Sequence, residues 1–511
     1  MLINIFRTSV VVFWLAMMSW LVRYEAFPEK FTDIAGGYRA LLQSGPLILD
    51  SWMLIESQGI PVGYSHTWLD TNLDYDRAAY ALRNQTAMNL NLMGQVHYFG
   101  VNADAVLDDQ YRLQQFSAML TSDVYSTRVS ARRLKNDVFE VVVKTRASER
   151  SYQVKIPDDV VLYSSMSEMA LKRIEPGEVI RFKTIDPLSL NISEVAIEAA
   201  GRETLVHEGK SLETILLNIN YRGMAVRAWI DAEGRVLREE TPFGWVMRAS
   251  SAREILNRRR RAAESPDLFA SMAVPVKGTI VEPRRSRWLK LRLIGQMAGL
   301  DRIADHRQKV IERKADSAVL EVSAQNAPAG APALGAGIPA DAREHLFPSA
   351  AIQCDHPEIM ARAREIVSGA ENSYAAALAI NNWVHLNLVK NATVSLPSAL
   401  DVLRSREGDC NEHTYLFVAL ARAAGLPARI NVGIVYADAS QLPPGMDGRH
   451  SAFYYHAWPS VFTGEWVDMD PTLGGPLVDA AYVTLASGEL DDQMRLLGVF
   501  GRLSVDVLAQ K

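Results

Sequence analysis

The sequence has few cysteines and little net charge. Only two of its 511 residues are cysteine, Cys354 and Cys410, so a fold held together by a disulfide framework is excluded. A formal net charge of −5 is small for this length, and no aromatic residues interleave the basic run at residues 258–261. We therefore expect no nucleic-acid partner. The apolar fraction of 48% is ample for several globular domains.

One long apolar segment is present, at the N-terminus. Residues 8–22 carry no charge and lie between Arg7 and Arg23. They are short of the roughly 20 residues that cross a bilayer as a helix, but the preceding apolar residues 2–6 extend them. We expect residues 1–25 to form an uncleaved, single-pass membrane anchor; a cleaved signal peptide is the alternative. The long chain that follows then predicts an extracytoplasmic, periplasmic location.

The rest of the chain divides by composition. Strand-and-turn patterns predict a β-rich antiparallel domain at residues 45–263, for example where residues 224–230 and 235–239 flank a turn ending in Gly234. Residues 264–345 predict a strand-containing connector that includes an Ala/Pro/Gly-rich linker. Helical periodicity follows within residues 346–490, the part that carries the motifs described below, and residues 491–511 are expected to form a C-terminal strand or tail.

The segment that begins at Gly408 predicts a helix with a reactive residue on its first turn. Asp409 is a suitable N-cap, Glu412 can close a capping box, and Gly425 favours the end of the helix. Cys410 then lies where unpaired amides and the positive end of the helix dipole stabilise a thiolate. We expect its pKa to lie below the roughly 8.5 of a free thiol.

Two later residues can complete a catalytic triad. A thiol nucleophile needs a general base, and the base needs a third group that fixes its tautomer. His456 lies on a predicted strand beside Trp458, and Asp470 follows the next predicted strand, which begins at Trp466. We predict Cys410 as the nucleophile, His456 as the base and Asp470 as the orienting acid.

These three motifs, in this order, resemble the core of the transglutaminase-like superfamily. The Gly-x-Cys helix start, the His-Ala-Trp strand and the Trp-x-x-x-Asp-Pro-Thr ending carry the resemblance. It implies an α+β, papain-like fold, with helices packed on an antiparallel sheet, and the same three triad roles. It also implies acyl transfer through a Cys410 thioester on peptide or protein amides, without a cofactor or a metal.

Several alternatives compete with this interpretation. His413 lies three residues after Cys410 and could act as the base. Asp468 alternates with Asp470 along the strand and should face the opposite side. Cys410, His413, His450 and His456 could also be read as metal ligands, although no second closely spaced pair exists.

The function also leaves alternatives open. The triad serves both hydrolysis and transamidation, and we expect hydrolysis, as in a thiol peptidase or amidase. The competing hypothesis is a binding or assembly protein of the cell envelope that uses the β-rich domain and whose thiol domain is secondary or inactive.

Overall fold

A computed structural model of the chain describes residues 32–33, 50–71, 80–162, 174–242, 244–258, 263–297, 300, 303–391, 398–438 and 451–511. The predicted membrane anchor at residues 1–25 lies outside these residues. No helix within the described ranges is both long enough and apolar enough to cross a bilayer. The described chain is α+β, with a large β-rich region ahead of the helices, in agreement with the predicted fold class.

Most of the β-rich region belongs to one curved sheet. Strands β2 to β9 pair antiparallel with their neighbours in chain order, strands β11 to β16 do the same, and β16 pairs with β2. Its strands are β1 (Thr32–Asp33), β2 (Asp50–Ser57), β3 (Ile60–Asp70), β4 (Tyr80–Leu92), β5 (Gln95–Leu107), β6 (Leu113–Ser122), β7 (Ser126–Lys135), β8 (Val138–Lys144), β9 (Glu149–Lys155), β10 (Val160–Leu162), β11 (Val179–Ile185), β12 (Ile192–His207), β13 (Lys210–Tyr221), β14 (Met224–Ile230), β15 (Val236–Glu240) and β16 (Trp245–Ala249).

Alternation and tight turns explain why this segment forms antiparallel strands. Along β6, buried positions recur at nearly every second residue, as expected when one face of a strand lines a core. Strands β2 and β3 are joined at Gln58 and Gly59, whose φ angles of 49° and 79° are those of a two-residue turn that matches the twist of a hairpin. The predicted β-rich region is therefore present.

A second sheet combines the connector with the last strand. It has the order β17, β27, β18, β20, β19, so that β27 lies between two strands of the connector. Its strands are β17 (Val276–Lys277), β18 (Trp288–Ile294), β19 (Gln308–Arg313), β20 (Ser317–Ser323) and β27 (Ser504–Gln510). Leu291 and Val505 of this sheet share one core with Ile434 and Phe453 of the predicted catalytic part. The connector therefore supports the sheet of that part.

The predicted catalytic part consists of helices packed on a four-stranded antiparallel sheet of order β25, β24, β23, β26. The strands are β23 (Ala428–Ala437), β24 (Ala452–Phe462), β25 (Trp466–Asp468) and β26 (Tyr482–Ser487), and a short pair, β21 (Val389–Lys390) and β22 (Glu407–Gly408), lies beside them. The helices, including two short ones before this part and one after it, are α1 (Ala252–Arg258), α2 (Leu268–Ser271), α3 (Pro357–Val367), α4 (Ser373–Asn387), α5 (Ala399–Ser405), α6 (Cys410–Ala423) and α7 (Leu490–Met494). Helix α6 is the central one and packs against β23 and β24.

Candidate active site

Helix α6 begins at Cys410 with both halves of the predicted capping box. The Asp409 side chain accepts a hydrogen bond from the Asn411 amide at 2.8 Å, and Glu412 Oε2 accepts one from the Asp409 amide at 2.8 Å. The capping box predicted from the sequence is confirmed. It fixes the first turn, so that the position of Cys410 is set by backbone geometry.

A steric constraint explains why the residue two positions before Cys410 is a glycine. Gly408 has φ +153°, and a Cβ built on it would lie 2.2 Å from Cβ of Glu412. A side chain at Gly408 would therefore push away the glutamate that closes the capping box. The Gly-x-Cys motif is thus explained by the way in which the helix start is packed.

His456 and Asp470 form a buried pair. His456 lies on β24, and its Nε2 is 2.8 Å from Oδ2 of Asp470, which follows β25. Only 9% of the His456 side chain is exposed, and the Asp470 side chain is fully buried. Because Nε2 is engaged by the carboxylate, Nδ1 is the ring nitrogen left for proton exchange with a thiol.

Asp470 is held by further donors. Its Oδ1 accepts hydrogen bonds from the amides of Thr472 (2.8 Å) and Leu473 (3.0 Å), and its Oδ2 accepts one from the Tyr482 hydroxyl at 2.7 Å. Burial alone would raise the pKa of Asp470, but His456 and these donors hold it down to about 2. The carboxylate is therefore ionised at neutral pH and has a fixed orientation.

The thiol of Cys410 lies beside the same strand. Cys410 is half-buried, and its sulfur is hydrogen-bonded by the backbone of Ala457, the residue after His456. The negative charge of Asp470 also raises the pKa of this thiol. The structure thus brings Cys410 into the neighbourhood of the His456–Asp470 pair.

The expected depression of the Cys410 pKa is wrong in direction. Burial raises the pKa of this thiol well above its ordinary value, and the charges of Asp409 and Glu412 raise it further, while the hydrogen bond from Ala457 lowers it. The helix start offers amides to a thiolate, but the carboxylates that cap the same helix oppose that effect. These effects favour the thiol over the thiolate at Cys410, so a base is needed to remove its proton.

Trp458 and Asp468 form a second buried pair next to the site. Trp458 is fully buried, and its indole N–H donates to Asp468 Oδ2 at 3.1 Å. Gly433 leaves room for it, because a Cβ there would lie 2.9 Å from the Trp458 ring and 2.0 Å from the carbonyl of Val483. Asp468 also contacts Arg307 of the connector at 3.3 Å. Asp468 thus belongs to this packing network, whereas Asp470 contacts His456.

The rival histidine has a different environment. His413 is completely buried, and its Nδ1 lies 2.7 Å from the Asp409 carbonyl oxygen. Burial lowers the pKa of His413. Among the described residues no group of three or more His, Cys, Asp or Glu side chains is arranged to hold a metal ion, and His450 lies outside those residues. Cys354 is buried, and burial raises its pKa.

Three residues that support the site were not predicted from the sequence. Tyr482 supports Asp470, Arg307 supports Asp468, and Tyr125 of the β-rich region donates to the Glu407 carbonyl at 2.7 Å, three residues before Cys410. Each lies in a separate stretch of chain from the motif that it contacts, and no local pattern marks it. Only the folded chain places these residues together.

A cysteine at a helix start, beside a strand-borne His–Asp pair on an antiparallel sheet, is the arrangement of the papain-like class of thiol proteins. Residues 360–471 match the family model of the transglutaminase-like superfamily. Cys410, His456 and Asp470 all lie within this match. The resemblance inferred from the sequence is confirmed, and the chain carries a transglutaminase-like domain.

Relatives and solved structures match part of the chain. An uncharacterized protein of Mycobacterium tuberculosis is 37% identical over 94 residues, which are 17% of this chain and 29% of that protein. The chain therefore matches less than a third of the length of this relative. A candidate cysteine protease from Cytophaga hutchinsonii has 18% identity and a TM-score of 0.31 over 44% of this chain and 85% of that chain. The periplasmic domain of TgpA from Pseudomonas aeruginosa has 16% identity and a TM-score of 0.25 over 40% and 73%. At these TM-scores we draw nothing about activity from the solved structures.

Proposed function

We propose that the chain is a thiol enzyme that transfers acyl groups from peptide or protein amides through a thioester at Cys410. The observation that carries the proposal is the buried His456–Asp470 pair, 2.8 Å apart, beside a half-buried cysteine at a capped helix start. A satisfied carboxylate that fixes one ring nitrogen of a histidine, with a thiol near the other, is the arrangement that nucleophilic catalysis needs.

In the first half-reaction His456 acts as the base. Its Nδ1 takes the proton from the Cys410 thiol as the sulfur attacks the carbonyl carbon of the amide. The negative charge that develops on the carbonyl oxygen is stabilised by the backbone N–H of Cys410, because the amides of Asn411 and Glu412 already donate to the Asp409 side chain. His456 then gives its proton to the leaving nitrogen, the C–N bond breaks, and a thioester and a free amine result.

The second half-reaction returns the enzyme to its starting state. His456 takes a proton from water, the oxygen attacks the thioester, the C–S bond breaks, and the thiol regains its proton. A substrate amine in place of water gives a new amide by the same steps. We propose that water is the usual acceptor, so that the enzyme is a thiol peptidase or amidase.

Asp470 has a specific role in this scheme, because the Cys410 thiol must first transfer its proton to His456. Proton transfer from the thiol creates an imidazolium at His456, and the ionised, fully buried Asp470 stabilises that positive charge at 2.8 Å. The charge pair forms only while it is needed, during attack and release.

The test is labelling with an electrophilic peptide probe, followed by mass spectrometry of the modified residue. We expect the label on Cys410, its loss in Cys410→Ala, and products that contain water-derived acid when no amine is added. Added glycine methyl ester then distinguishes the two acceptors, because a new amide product in high yield would identify a transamidase.

A second candidate function is supported by one observation. The raised pKa of Cys410 and its partial burial are also compatible with a thiol domain that no longer reacts, in an envelope protein that binds a partner through its β-rich region. If the probe does not label Cys410 in the folded protein at any pH below the pKa of the thiol, the binding function is favoured over the enzymatic function.

We also propose that the protein is held at the membrane by residues 1–25 and that its catalytic part is extracytoplasmic. This proposal rests on the apolar residues 8–22 of the sequence.

A further inference from the structure

The β-rich sheet has a groove on the face opposite its core. The groove lies across strands β3 to β8 and has a volume of about 760 Å³, which is within the range of roughly 300–1,000 Å³ typical of ligand sites. Side chains alternate along these strands. Asp104 lines the groove, whereas Ala103 and Ala105, its neighbours in sequence, belong to the hydrophobic core. Phe116 and Ala131 of that core also border the groove.

The groove is polar and balanced in charge. Its lining includes two arginines and two acidic residues, and these form loose pairs: Arg83 is 3.9 Å from Asp104, and Arg132 is 3.8 Å from Glu140. The Asp104 and Glu140 side chains are 45% and 43% exposed, so they remain accessible to a ligand. The amides of Gln85, Asn102 and Gln115 provide further donors and acceptors, and the Ser117 hydroxyl donates to Asp104 Oδ2 at 3.0 Å.

An aromatic ring adjoins these polar groups. Trp68 lines the groove and is the last of three stacked rings, with centroids 3.7 Å apart for Trp52 and His66 and 4.5 Å apart for His66 and Trp68. His66 is fixed in turn by Asp50, 2.7 Å away. The stack restrains Trp68, so that little side-chain entropy remains to be lost when a ligand packs against the ring.

From this combination we infer that the groove binds a neutral oligosaccharide. Sugar hydroxyls donate and accept at once, which suits amides and paired charges, and the C–H face of a sugar ring packs on an aromatic ring. An anionic polymer would be repelled by the carboxylates of Asp104 and Glu140. An extended peptide would need free backbone groups, which a sheet offers at an edge and not on a face.

The experiment is isothermal titration of the full-length protein with chitotetraose, cellotetraose and maltotetraose, and with trigalacturonate as the anionic comparison. We expect at least one neutral tetrasaccharide to bind. Trp68→Ala should weaken that binding at least fivefold. Gln115→Ala, which changes a polar groove residue and leaves the core intact, should weaken it as well.

Two control variants separate this site from other effects. Phe347→Ala removes an aromatic ring that is 66% exposed elsewhere in the chain, and should bind as the wild type does. Cys410→Ala should also bind normally, so that the outcome is independent of the thiol chemistry. The inference is overturned if no neutral tetrasaccharide binds, if trigalacturonate binds most tightly, or if Trp68→Ala and Gln115→Ala keep the wild-type affinity.

Discussion

At the scale of single residues, we expect substitutions at the three predicted triad positions to reduce turnover by different amounts. Cys410→Ala should abolish turnover and His456→Ala should cost a similar amount, on the order of 10⁴-fold or more, because each removes a group that takes part in bond making. Asp470→Asn should cost less, since the orienting acid acts through His456. Steady-state hydrolysis of a peptide amide with the same sequence as the probe measures all three.

His413→Ala is the matched control for His456→Ala. His413 is buried and hydrogen-bonded to the Asp409 carbonyl oxygen, so its loss should lower the unfolding temperature more than it lowers turnover of the folded enzyme. If His413→Ala were the more damaging change to turnover per folded molecule, the assignment of the base to His456 would be wrong.

Asp409 offers a test of why the Cys410 pKa is high. Its negative charge raises the pKa of the thiol, so Asp409→Asn should lower that pKa, while asparagine keeps the capping hydrogen bond. The rate of iodoacetamide alkylation of Cys410 against pH should therefore turn upward at a lower pH in the variant. Cys354, mapped in the same digest, should show no change.

Tyr482 tests the support of Asp470. Tyr482→Phe keeps the buried ring but removes a hydrogen bond of 2.7 Å to the carboxylate. A hydrogen bond to a charged group is worth roughly 1.5–3 kcal/mol, and because this one acts through His456 we expect a fall in kcat of about tenfold. Tyr221→Phe, at a buried tyrosine of the β-rich sheet, should leave kcat unchanged.

At the scale of elements, the hairpin formed by β6 and β7 links two parts of the molecule. One face of the hairpin lines the groove, and its turn carries Tyr125, whose hydroxyl donates to the Glu407 carbonyl at 2.7 Å and lies 3.1 Å from Ser405 Oγ. The ring itself is buried in the core of the catalytic part. The position of the residues before Cys410 thus depends on a strand pair from the β-rich region.

Tyr125→Phe should therefore reduce stability and activity together. The change leaves the half-buried Glu407 carbonyl without this donor, at a cost of about 1 kcal/mol. We expect a lower unfolding midpoint and a lower kcat with little change in KM. Tyr98→Phe, at a tyrosine of β5 that is 37% exposed, is the control and should match the wild type.

Some elements could be predicted from the sequence and others could not. Helix α6 and its caps were predictable because Asp409 and Glu412 act within one turn at its start, and Gly425 acts two residues after its last residue. The roles of Tyr125, Arg307 and Tyr482 depend on contacts between distant segments, which periodicity does not encode. The Cys410 pKa was misjudged because the helix start is visible in the sequence, whereas the burial of the thiol is not.

At the scale of the whole molecule, the predicted anchor can be tested directly. Residues 8–22 should retain the protein in the membrane pellet after an alkaline carbonate wash, because an apolar span is not released by high pH. Protease added to osmotically opened cells should digest the part that contains Cys410. Protection of that part until the inner membrane is broken would reverse the orientation, and a soluble product that begins near residue 25 would indicate a cleaved signal peptide.

The position of β27 between β17 and β18 bears on when the core beneath the candidate site is completed. The ribosome delivers β27 about two hundred residues after β18, so these contacts are among the most distant in sequence and form late. Until then, Leu291 and Leu293 lack Val505, and the core that they share with the catalytic sheet is incomplete. Until β27 is paired, Cys410 therefore lies in a part of the chain whose supporting core is incomplete.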